Sequence, residues 1–416
     1  MAFQVSPGVL VQERDLTNII PAVSTSIGAV AGQFQKGPID EIVSISSEQE
    51  LVDTFGKPDS ATFEHFFTAS NFLQYSNALR VVRAQNTSVT NATASGSSIL
   101  IKNTDDYTNN YSTGQGIVGT FAARTAGVHG NSLQVSTCPS ASAYEQISAS
   151  LVASTSTTNA VGDTSIAVDE GSNFNVGDII QFSTTASTDD FDDGEFYRIT
   201  AITSETLTIV QHPRGSGGLK RLIADNSKIK RRWRYYDSVD RAPGTTAWTA
   251  DRGGSGDEIH VVVVDEDGVI SGEPGRVLEA FSSMSKASDA KTPQGDNNYY
   301  PDVIYNKSAY IYWMDHNTSG SNWGNAATGT TFTAVDTPTL ESLAGGAAGS
   351  TVTDGQLLTA YEKFSDAETV DVGLIMAGPS GSITHIDNLI TIAENRKDAV
   401  VFASPQRSDV VNITNS

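Results

Sequence analysis

The densest group of potential metal ligands in the sequence is an acidic segment near residue 190. Its members are Asp189, Asp190, Asp192, Asp193 and, after Gly194, Glu195. Carboxylate oxygens suit calcium, but their spacing here differs from the EF-hand pattern. The histidines are also scattered without the spacing of a metal site. They are His65, His129, His212, His260, His316 and His385. The sequence therefore predicts a solvated acidic loop and no bound metal.

A glycine-rich turn near residue 380 is the best match to an anion-binding site. A strand-like run, Val370–Met376, precedes Gly378–Ser382, and a helical pattern follows. A helix N-terminus can hold an anion, as it does in dinucleotide-binding folds. This turn lacks G-x-G-x-x-G, and no acidic residue closes the next strand. We therefore favour an ordinary loop, with Ser382 or Thr384 as the helix cap, over a nucleotide site.

Sequence signatures of the common enzyme classes are absent. There is no H-E-x-x-H, G-x-S-x-G, Walker A or C-x-x-C motif. Gly56-Lys57 is followed by Pro58, so this pair does not form a P-loop. A hydrolase would need paired carboxylates or a triad converging in a cleft, and the sequence offers no strong candidate. We expect no catalytic residue, no cofactor and no enzymatic activity.

A basic segment with interleaved aromatic residues extends over Lys228–Tyr236. This pattern is typical of nucleic-acid binding, but the chain's net charge of −22 opposes that function. Residues 214–252 carry ten basic and four acidic side chains, whereas residues 150–213 carry one basic and ten acidic ones. We therefore predict that the basic segment contacts an acidic surface, within one subunit or between neighbours. Three arginines would make these charge contacts: Arg231, Arg232 and Arg234.

The composition limits the class of protein that must position these residues. A length of 416 residues is enough for two or three domains with cores of their own. The single cysteine, Cys138, forms no internal disulfide, which fits assembly in a reducing cytoplasm. No apolar run approaches the roughly 18–20 residues of a membrane span, and the N-terminus lacks the layout of a signal peptide. The 36 glycines and the 18% share of charged residues indicate a β-rich chain with many turns.

Helix and strand patterns define a scaffold in two parts, residues 23–138 and 226–416. In the first part, Ser47–Glu50 forms a capping box that opens a helix ending at Gly56. A second helix has one strongly apolar face, a strand covers residues 79–84, and residues 87–120 are rich in loops. The second part contains a hairpin with Asp265–Gly268 at its tip and a strand over residues 310–313. Four apolar residues there predict a further helix: Val277, Leu278, Phe281 and Met284.

The C-terminal end of the scaffold alternates helices and strands. A helix around residues 357–364 precedes the strand at 370–376, and another helix precedes a strand at 399–403. This order predicts a parallel strand pair with a right-handed crossover. Between the two scaffold parts, residues 139–225 hold short β runs at regular spacing, typical of a small β-sandwich or barrel. We predict an α+β, multi-domain fold with a β-rich domain inserted in an α/β scaffold, on the outer surface.

Residues 1–22 are predicted to form an extended N-terminal arm. Too few apolar residues accompany it to build a core, and no tight turn folds it back on itself. Unpaired strand groups are readily satisfied at the sheet edge of another chain. We therefore predict that this arm adds a strand to a neighbouring subunit. The residues involved are Phe3, Val5, Val9, Leu10 and Val11.

Several motifs resemble the contractile tail sheath proteins of T4-type bacteriophages. They are Ser6-Pro7-Gly8-Val9, Gly32-x-Phe34-x-x-Gly37-Pro38, Thr54–Pro58, Asn71–Ala84, Ala123–Leu133, the hairpin at Asp265–Gly268, Leu343–Gly346 and Ala393–Asp398. Each motif alone is weak, but eight of them in the order of the family are specific. They cover roughly residues 6–85, 120–136 and 255–405, which leaves 139–225 as a lineage-specific insertion.

The resemblance implies a structural subunit that polymerises helically around the tail tube and contracts to drive the tube through the host envelope. It also implies contacts with the tail tube, baseplate and neck or terminator proteins, and a place in the virion tail after assembly in the host cytoplasm. Direct nucleic-acid binding and membrane insertion are not expected. Family members carry a further C-terminal domain, which we expect to be missing here or reduced. The alternative function is a host-binding module on the tail surface, which would use exposed aromatic residues of the inserted domain.

Overall fold

The computed structural model describes residues 27–114, 116, 118–146, 153–191, 194–379, 382–405 and 410–411. The strands are β1 (Gly28–Gly32), β2 (Ile42–Ile45), β3 (Leu79–Arg83), β4 (Val89–Thr90), β5 (Phe121–Ala123), β6 (Leu133–Cys138), β7 (Ala153–Ser154), β8 (Ser165–Ala167), β9 (Ile179–Phe182), β10 (Phe196–Thr203), β11 (Thr206–His212), β12 (Lys228–Arg232), β13 (Glu258–Asp265), β14 (Arg276–Ser285), β15 (Ile311–Trp313), β16 (Thr339–Ser342), β17 (Ala347–Ala348), β18 (Leu374–Met376) and β19 (Val400–Phe402). The α-helices are α1 (Glu48–Phe55), α2 (Phe63–Leu73), α3 (Thr104–Asn110), α4 (Ala141–Tyr144), α5 (Ala247–Ala250), α6 (Tyr300–Lys307), α7 (Asp354–Tyr361) and α8 (Ile383–Arg396).

The described residues fall into two compact units. Unit 1 is drawn from Met1–Asn86 and Thr351–Ser416, and unit 2 from Thr87–Ser350. Unit 1 holds a five-stranded sheet in the order β19-β18-β1-β3-β2, in which β2 is antiparallel to β3 and the other neighbours are parallel. The helix α8 connects β18 to β19, which confirms the predicted parallel pair, although β18 is shorter than expected. The fold is thus a mixed α/β fold with several sheets.

Helices cover both faces of the sheet in unit 1. Side chains of a strand alternate between the two faces. Ala29 and Ala31 of β1 accordingly pack with α7 and α8, whereas Val30 packs with α1 and α2. Unit 1 therefore consists of three layers, with helices on either side of one sheet.

Within the described residues, no helix has both the length and the apolar character needed to cross a membrane.

Side-chain caps fix where two of these helices begin. The hydroxyl of Ser47 accepts a hydrogen bond from the backbone N–H of Glu50 at 3.2 Å, as predicted for the start of α1. The carboxylate of Glu50 accepts from the backbone N–H of Ser46 at 2.7 Å, one residue earlier than a capping box requires. Ser382 caps α8 by accepting from the N–H of His385 at 3.1 Å. Of the two predicted caps, Ser382 is therefore the one that begins α8.

Unit 2 contains a six-stranded sheet in the order β7-β12-β9-β10-β11-β8. A bridge between Thr155 and Val168 joins its two outer strands, so the sheet closes into a small barrel. All six strands contribute apolar side chains to the interior, and Ile180, Tyr197 and Leu207 are completely buried there. The barrel therefore has its own hydrophobic core.

A second sheet of unit 2 has the order β14-β13-β6-β16, and its neighbours are antiparallel. The central strand β13 is buried along its whole length. Two small sheets pair β15 with β5 and β17 with β4.

The helix predicted near residue 280 is wrong, because those residues form strand β14. The register between β13 and β14 shifts at two places, as it does at β-bulges. Val261 and Ile259 are two residues apart on β13, yet their partners Phe281 and Met284 are three apart on β14. The extra residue at a bulge changes the two-residue alternation of side chains along the strand to a spacing of three residues. A spacing of three is also typical of the apolar face of a helix.

Candidate assembly site

Strand β12 sets the direction of each side chain in the arginine segment, residues 228–236. In the barrel, β12 pairs with β7 on one side and with β9 on the other. Side chains alternate along it, so Ile229 and Arg231 are buried while Lys228, Lys230 and Arg232 are partly exposed. The segment therefore does not present its charges as one continuous face.

Arg231 joins the barrel to neighbouring segments of unit 2. Its side chain is 2% exposed, and its guanidinium donates to three backbone carbonyl oxygens. The acceptors are Asn173, Asp336 at 2.7 Å and Ser142 at 3.5 Å. Burial lowers the pKa of this guanidinium from its usual value. Arg231 thus connects three segments that are far apart in sequence.

Asp178 is the buried carboxylate associated with Arg231. Burial raises the pKa of Asp178 to about 6, although the positive charge of Arg231 acts in the opposite direction. One carboxylate oxygen accepts from the backbone N–H of Asn175 at 2.9 Å. Three buried polar atoms here have no hydrogen-bond partner among the described residues: Asp178 Oδ1, Arg231 Nε and the Tyr235 hydroxyl. Removing Arg231 would therefore leave a buried carboxylate poorly compensated.

Arg232 and Lys230 share one carboxylate, that of Glu145. The distances from Glu145 Oε1 are 2.7 Å to Arg232 Nη2 and 3.1 Å to Lys230 Nζ. Burial alone would raise the pKa of Glu145, but these two hydrogen-bonded cations hold it below its usual value. The Arg232 guanidinium also lies over the rings of Phe196 and Tyr236, 5.5 and 5.1 Å from their centroids. Arg232 is therefore paired within its own chain.

Arg234 lies against the turn before β9. Its guanidinium carbon is 5.1 Å from the centroid of the Tyr235 ring. A Cβ added at Gly177 would come within 2.2 Å of Arg234 Cδ, and Gly177 has φ +97°. Both the close approach and the backbone conformation require glycine at this position.

Two ion pairs join the acidic region, residues 150–213, to the basic region, residues 214–252. Arg221 Nε lies 2.9 Å from Glu195 Oε2, and Lys228 Nζ lies 3.1 Å from Asp189 Oδ1. A charge contact between neighbouring copies through the three arginines remains a prediction. Sequence reasoning missed Glu145, which lies outside the acidic segment. The β-strand alternation at Ile229 would have indicated that Arg231 points inward.

The other candidate site residues lie wholly or partly outside the described residues. Phe3, Val5, Val9, Leu10 and Val11 lie outside the described residues, so the strand exchange remains a prediction. No group of three or more metal-ligating side chains occurs among the residues that the structure describes. Asp192 and Asp193 of the acidic segment lie outside those residues, as do Ser380 and Gly381 of the glycine-rich turn.

Comparison with known proteins finds that this chain is similar to tail sheath proteins of bacteriophages. Residues 25–84 match the family model "Tail sheath protein Gp18 domain III N-terminal region". The tail sheath protein of Enterobacteria phage T4 is 26% identical over 445 residues, which cover 98% of this chain and 63% of the T4 protein. The tail sheath protein of Salmonella phage ViI is 26% identical over 433 residues, which cover 99% of this chain and 61% of the ViI protein.

A shorter match has higher identity. The tail sheath protein of Vibrio phage KVP40 is 37% identical over 103 residues, covering 25% of this chain and 15% of that protein. A crystal structure of the sheath tail protein from Listeria innocua superposes with a TM-score of 0.32 and 10% sequence identity. The match covers 90% of this chain and 45% of the Listeria chain. At these values the structural likeness supports no argument. The chain spans about three-fifths of the length of the T4 and ViI relatives. The predicted resemblance to the tail sheath proteins of T4-type bacteriophages is confirmed by the family model and these relatives.

Proposed function

We propose that this chain is a structural subunit of a contractile phage tail sheath. In this proposal, copies polymerise helically around the tail tube, and contraction of the polymer drives the tube through the host envelope. The observation that carries the proposal is similarity to curated tail sheath proteins along 98–99% of the chain. The driving force is a difference in packing between extended and contracted polymers, summed over many identical contacts. No enzymatic step is required.

The proposed partners are further copies of this chain, the tail tube protein, and the baseplate and neck or terminator proteins. The protein would be assembled in the host cytoplasm and would reside in the virion tail. Direct nucleic-acid binding does not belong to the proposal, because Arg231 is buried and Arg232 is paired with Glu145.

The barrel is proposed to be an inserted domain on the outer surface of the sheath. Its separate core supports this placement, because a module with its own core is tolerated where little else packs against it. The host-binding alternative gains no support from the described barrel residues. Their exposed large apolar side chains are aliphatic, namely Val161, Val176 and Leu222.

The N-terminal arm is proposed to link copies by adding a strand to a neighbouring sheet. Negative-stain electron microscopy of the purified chain, with and without residues 1–14, tests this mechanism. We expect helical tubes from the complete chain and a folded, soluble monomer from the shortened one. Tubes of equal length from both proteins would show that the arm is a loose terminus.

A further inference from the structure

Unit 2 contains a buried pair of opposite charges that are not in direct contact. Arg231 is 2% exposed and Asp178 is completely buried. The guanidinium of Arg231 uses Nη1 and Nη2 to donate to three backbone carbonyl oxygens. The carboxylate of Asp178 accepts from the backbone N–H groups of Asn175 and Arg234. Among the described residues, no ion pair or hydrogen bond joins the two side chains.

The strand register brings these two side chains to the same face. Arg231 of β12 lies opposite Ile180 of β9, and Asp178 precedes Ile180 by two residues. Residues opposite each other in an antiparallel pair share a face, and so do residues two apart along a strand. A diagonal neighbour of this kind lies within reach of a long side chain. The two charges accordingly interact, since burial raises the pKa of Asp178 and the positive charge of Arg231 opposes that rise.

Each of the two side chains keeps one hydrogen-bonding atom without a partner among the described residues. These atoms are Arg231 Nε, which has a hydrogen to donate, and Asp178 Oδ1, which can accept one. An unpaired polar atom is costly when it is buried, and the large majority of buried polar atoms in folded proteins are paired. The two atoms are complementary, so one small group between them would satisfy both.

We propose that one buried water molecule bridges Arg231 Nε and Asp178 Oδ1. The water oxygen accepts the hydrogen of Nε, and one hydrogen of the water is donated to Oδ1. Waters commonly mediate polar contacts between groups that are too far apart for a direct hydrogen bond. Buried waters also typically bind polar atoms that would otherwise stay unsatisfied. The arginine and the aspartate thus form an ion pair with a water between them.

The chemistry of the two atoms excludes most other ligands. The guanidinium would repel a metal cation, and the carboxylate would repel an anion. The bridging group is therefore neutral, and a single atom of it accepts from Nε and donates to Oδ1. Water and a hydroxyl group meet that requirement. Both side chains are almost completely buried, which leaves little room for a molecule larger than water.

The water joins the turn before β9 to the arginine that connects three other segments. Arg231 donates to the carbonyls of Asn173, Ser142 and Asp336, none of which belongs to a barrel strand. Through the water, Asp178 becomes part of the same network. The connection between the barrel and the neighbouring segments of unit 2 is therefore hydrated at its centre. This inference does not depend on the proposed sheath function.

A crystal structure of the full chain, at a resolution that shows ordered waters, tests the bridge. We expect a water oxygen within about 2.7–3.2 Å of both Arg231 Nε and Asp178 Oδ1. The pair of Arg232 and Glu145 is the internal control. Its charged atoms are in direct contact at 2.7 Å, so no water should lie between them.

Three results of that structure would overturn the inference. The first is a direct hydrogen bond between Arg231 Nε and the Asp178 carboxylate. The second is another group in the bridging position, such as the hydroxyl of Ser148 or Ser150, which lie outside the described residues. The third is a separation of the two atoms with no ordered atom between them.

Magnetic relaxation dispersion of water oxygen-17 provides a second measurement in solution, because it counts waters that stay buried for long times. Arg231→Met should hold one such water fewer than the unchanged chain, and Arg232→Met should hold the same number. Equal counts for the unchanged chain and a folded Arg231→Met variant would overturn the inference. If Arg231→Met does not fold, the crystal structure of the unchanged chain decides the question alone.

Discussion

Replacing Arg231 by methionine should destabilise unit 2 far more than the same change at Arg232. The Arg231→Met side chain fills similar space but donates no hydrogen bond to the carbonyls of Asn173, Ser142 and Asp336. It also leaves the carboxylate of Asp178 buried without its main compensating charge. Each buried acceptor that loses its charged donor costs about 1–3 kcal/mol, so the loss of these hydrogen bonds amounts to roughly 3–5 kcal/mol.

The matched control is Arg232→Met on the same strand. Arg232 is partly exposed, and its partner Glu145 keeps a hydrogen bond from Lys230. A pair of this kind contributes about 0–1 kcal/mol. The difference between the two variants should therefore be about 3 kcal/mol or more.

Tryptophan fluorescence in urea measures this difference. All four tryptophans lie in unit 2, so their signal reports on that unit. They are Trp233, Trp248, Trp313 and Trp323. With an m-value of about 1–3 kcal/mol per molar urea, Arg231→Met should lower the midpoint by roughly 1–3 M.

The pH dependence gives an independent check on the role of Asp178. Without Arg231, the pKa of Asp178 in the folded state should rise further above the 3.8 of an unperturbed carboxyl. A group whose pKa is raised by folding stabilises the fold at low pH and loses that contribution as pH rises. The defect of Arg231→Met should therefore be smaller at pH 5 than at pH 8, and Asp178→Asn should relieve part of it at pH 8. Equal midpoints for Arg231→Met and Arg232→Met would refute this account of the buried arginine.

Three further predictions concern other parts of the chain. Replacing residues 147–232, which include all six barrel strands, by a short Gly/Ser linker should leave helical tubes intact in electron micrographs; loss of tubes from a folded variant would contradict the insertion model. Gly177→Ala should cost about 1–3 kcal/mol in the fluorescence titration, because the new Cβ meets Arg234 at a positive φ. Burial and the neighbouring His385 lower the pKa of His65 from 6.5 to about 4. The imidazole of His65 therefore binds a proton more tightly in the unfolded chain than in the folded one. The stability of unit 1 should consequently fall by up to about 3 kcal/mol as pH drops from 6.5 to 4, and circular dichroism melts of His65→Gln should lack this part of the loss.

Local chemistry made part of the fold predictable. The cap at Ser47 and the alternation of strand and helix around α8 depend on residues close in sequence, and both were predicted. The helix expected near residue 280 failed because the bulges of β14 are fixed by pairing with β13. The paired residues at the bulges, from Val264 with Val277 to Ile259 with Met284, are 13 to 25 positions apart in sequence. Short-range spacing contains no information about such pairing.

The candidate site shows the same limit. Its basic character was visible in the sequence, but the burial of Arg231 depends on the barrel closing around β12. The pairing of Arg232 with Glu145 joins residues 87 positions apart. A count of charges therefore predicted a basic segment and could not predict which of its arginines would be accessible to another subunit.

Cryo-electron microscopy of polymers grown from the purified chain in the presence of tail tubes tests the central claim most directly. The account predicts helical tubes that surround the tail tube, with the barrel on the outer surface. Chains that stay monomeric beside bare tubes, under conditions where the protein is folded, would contradict the claim that this protein is a sheath subunit.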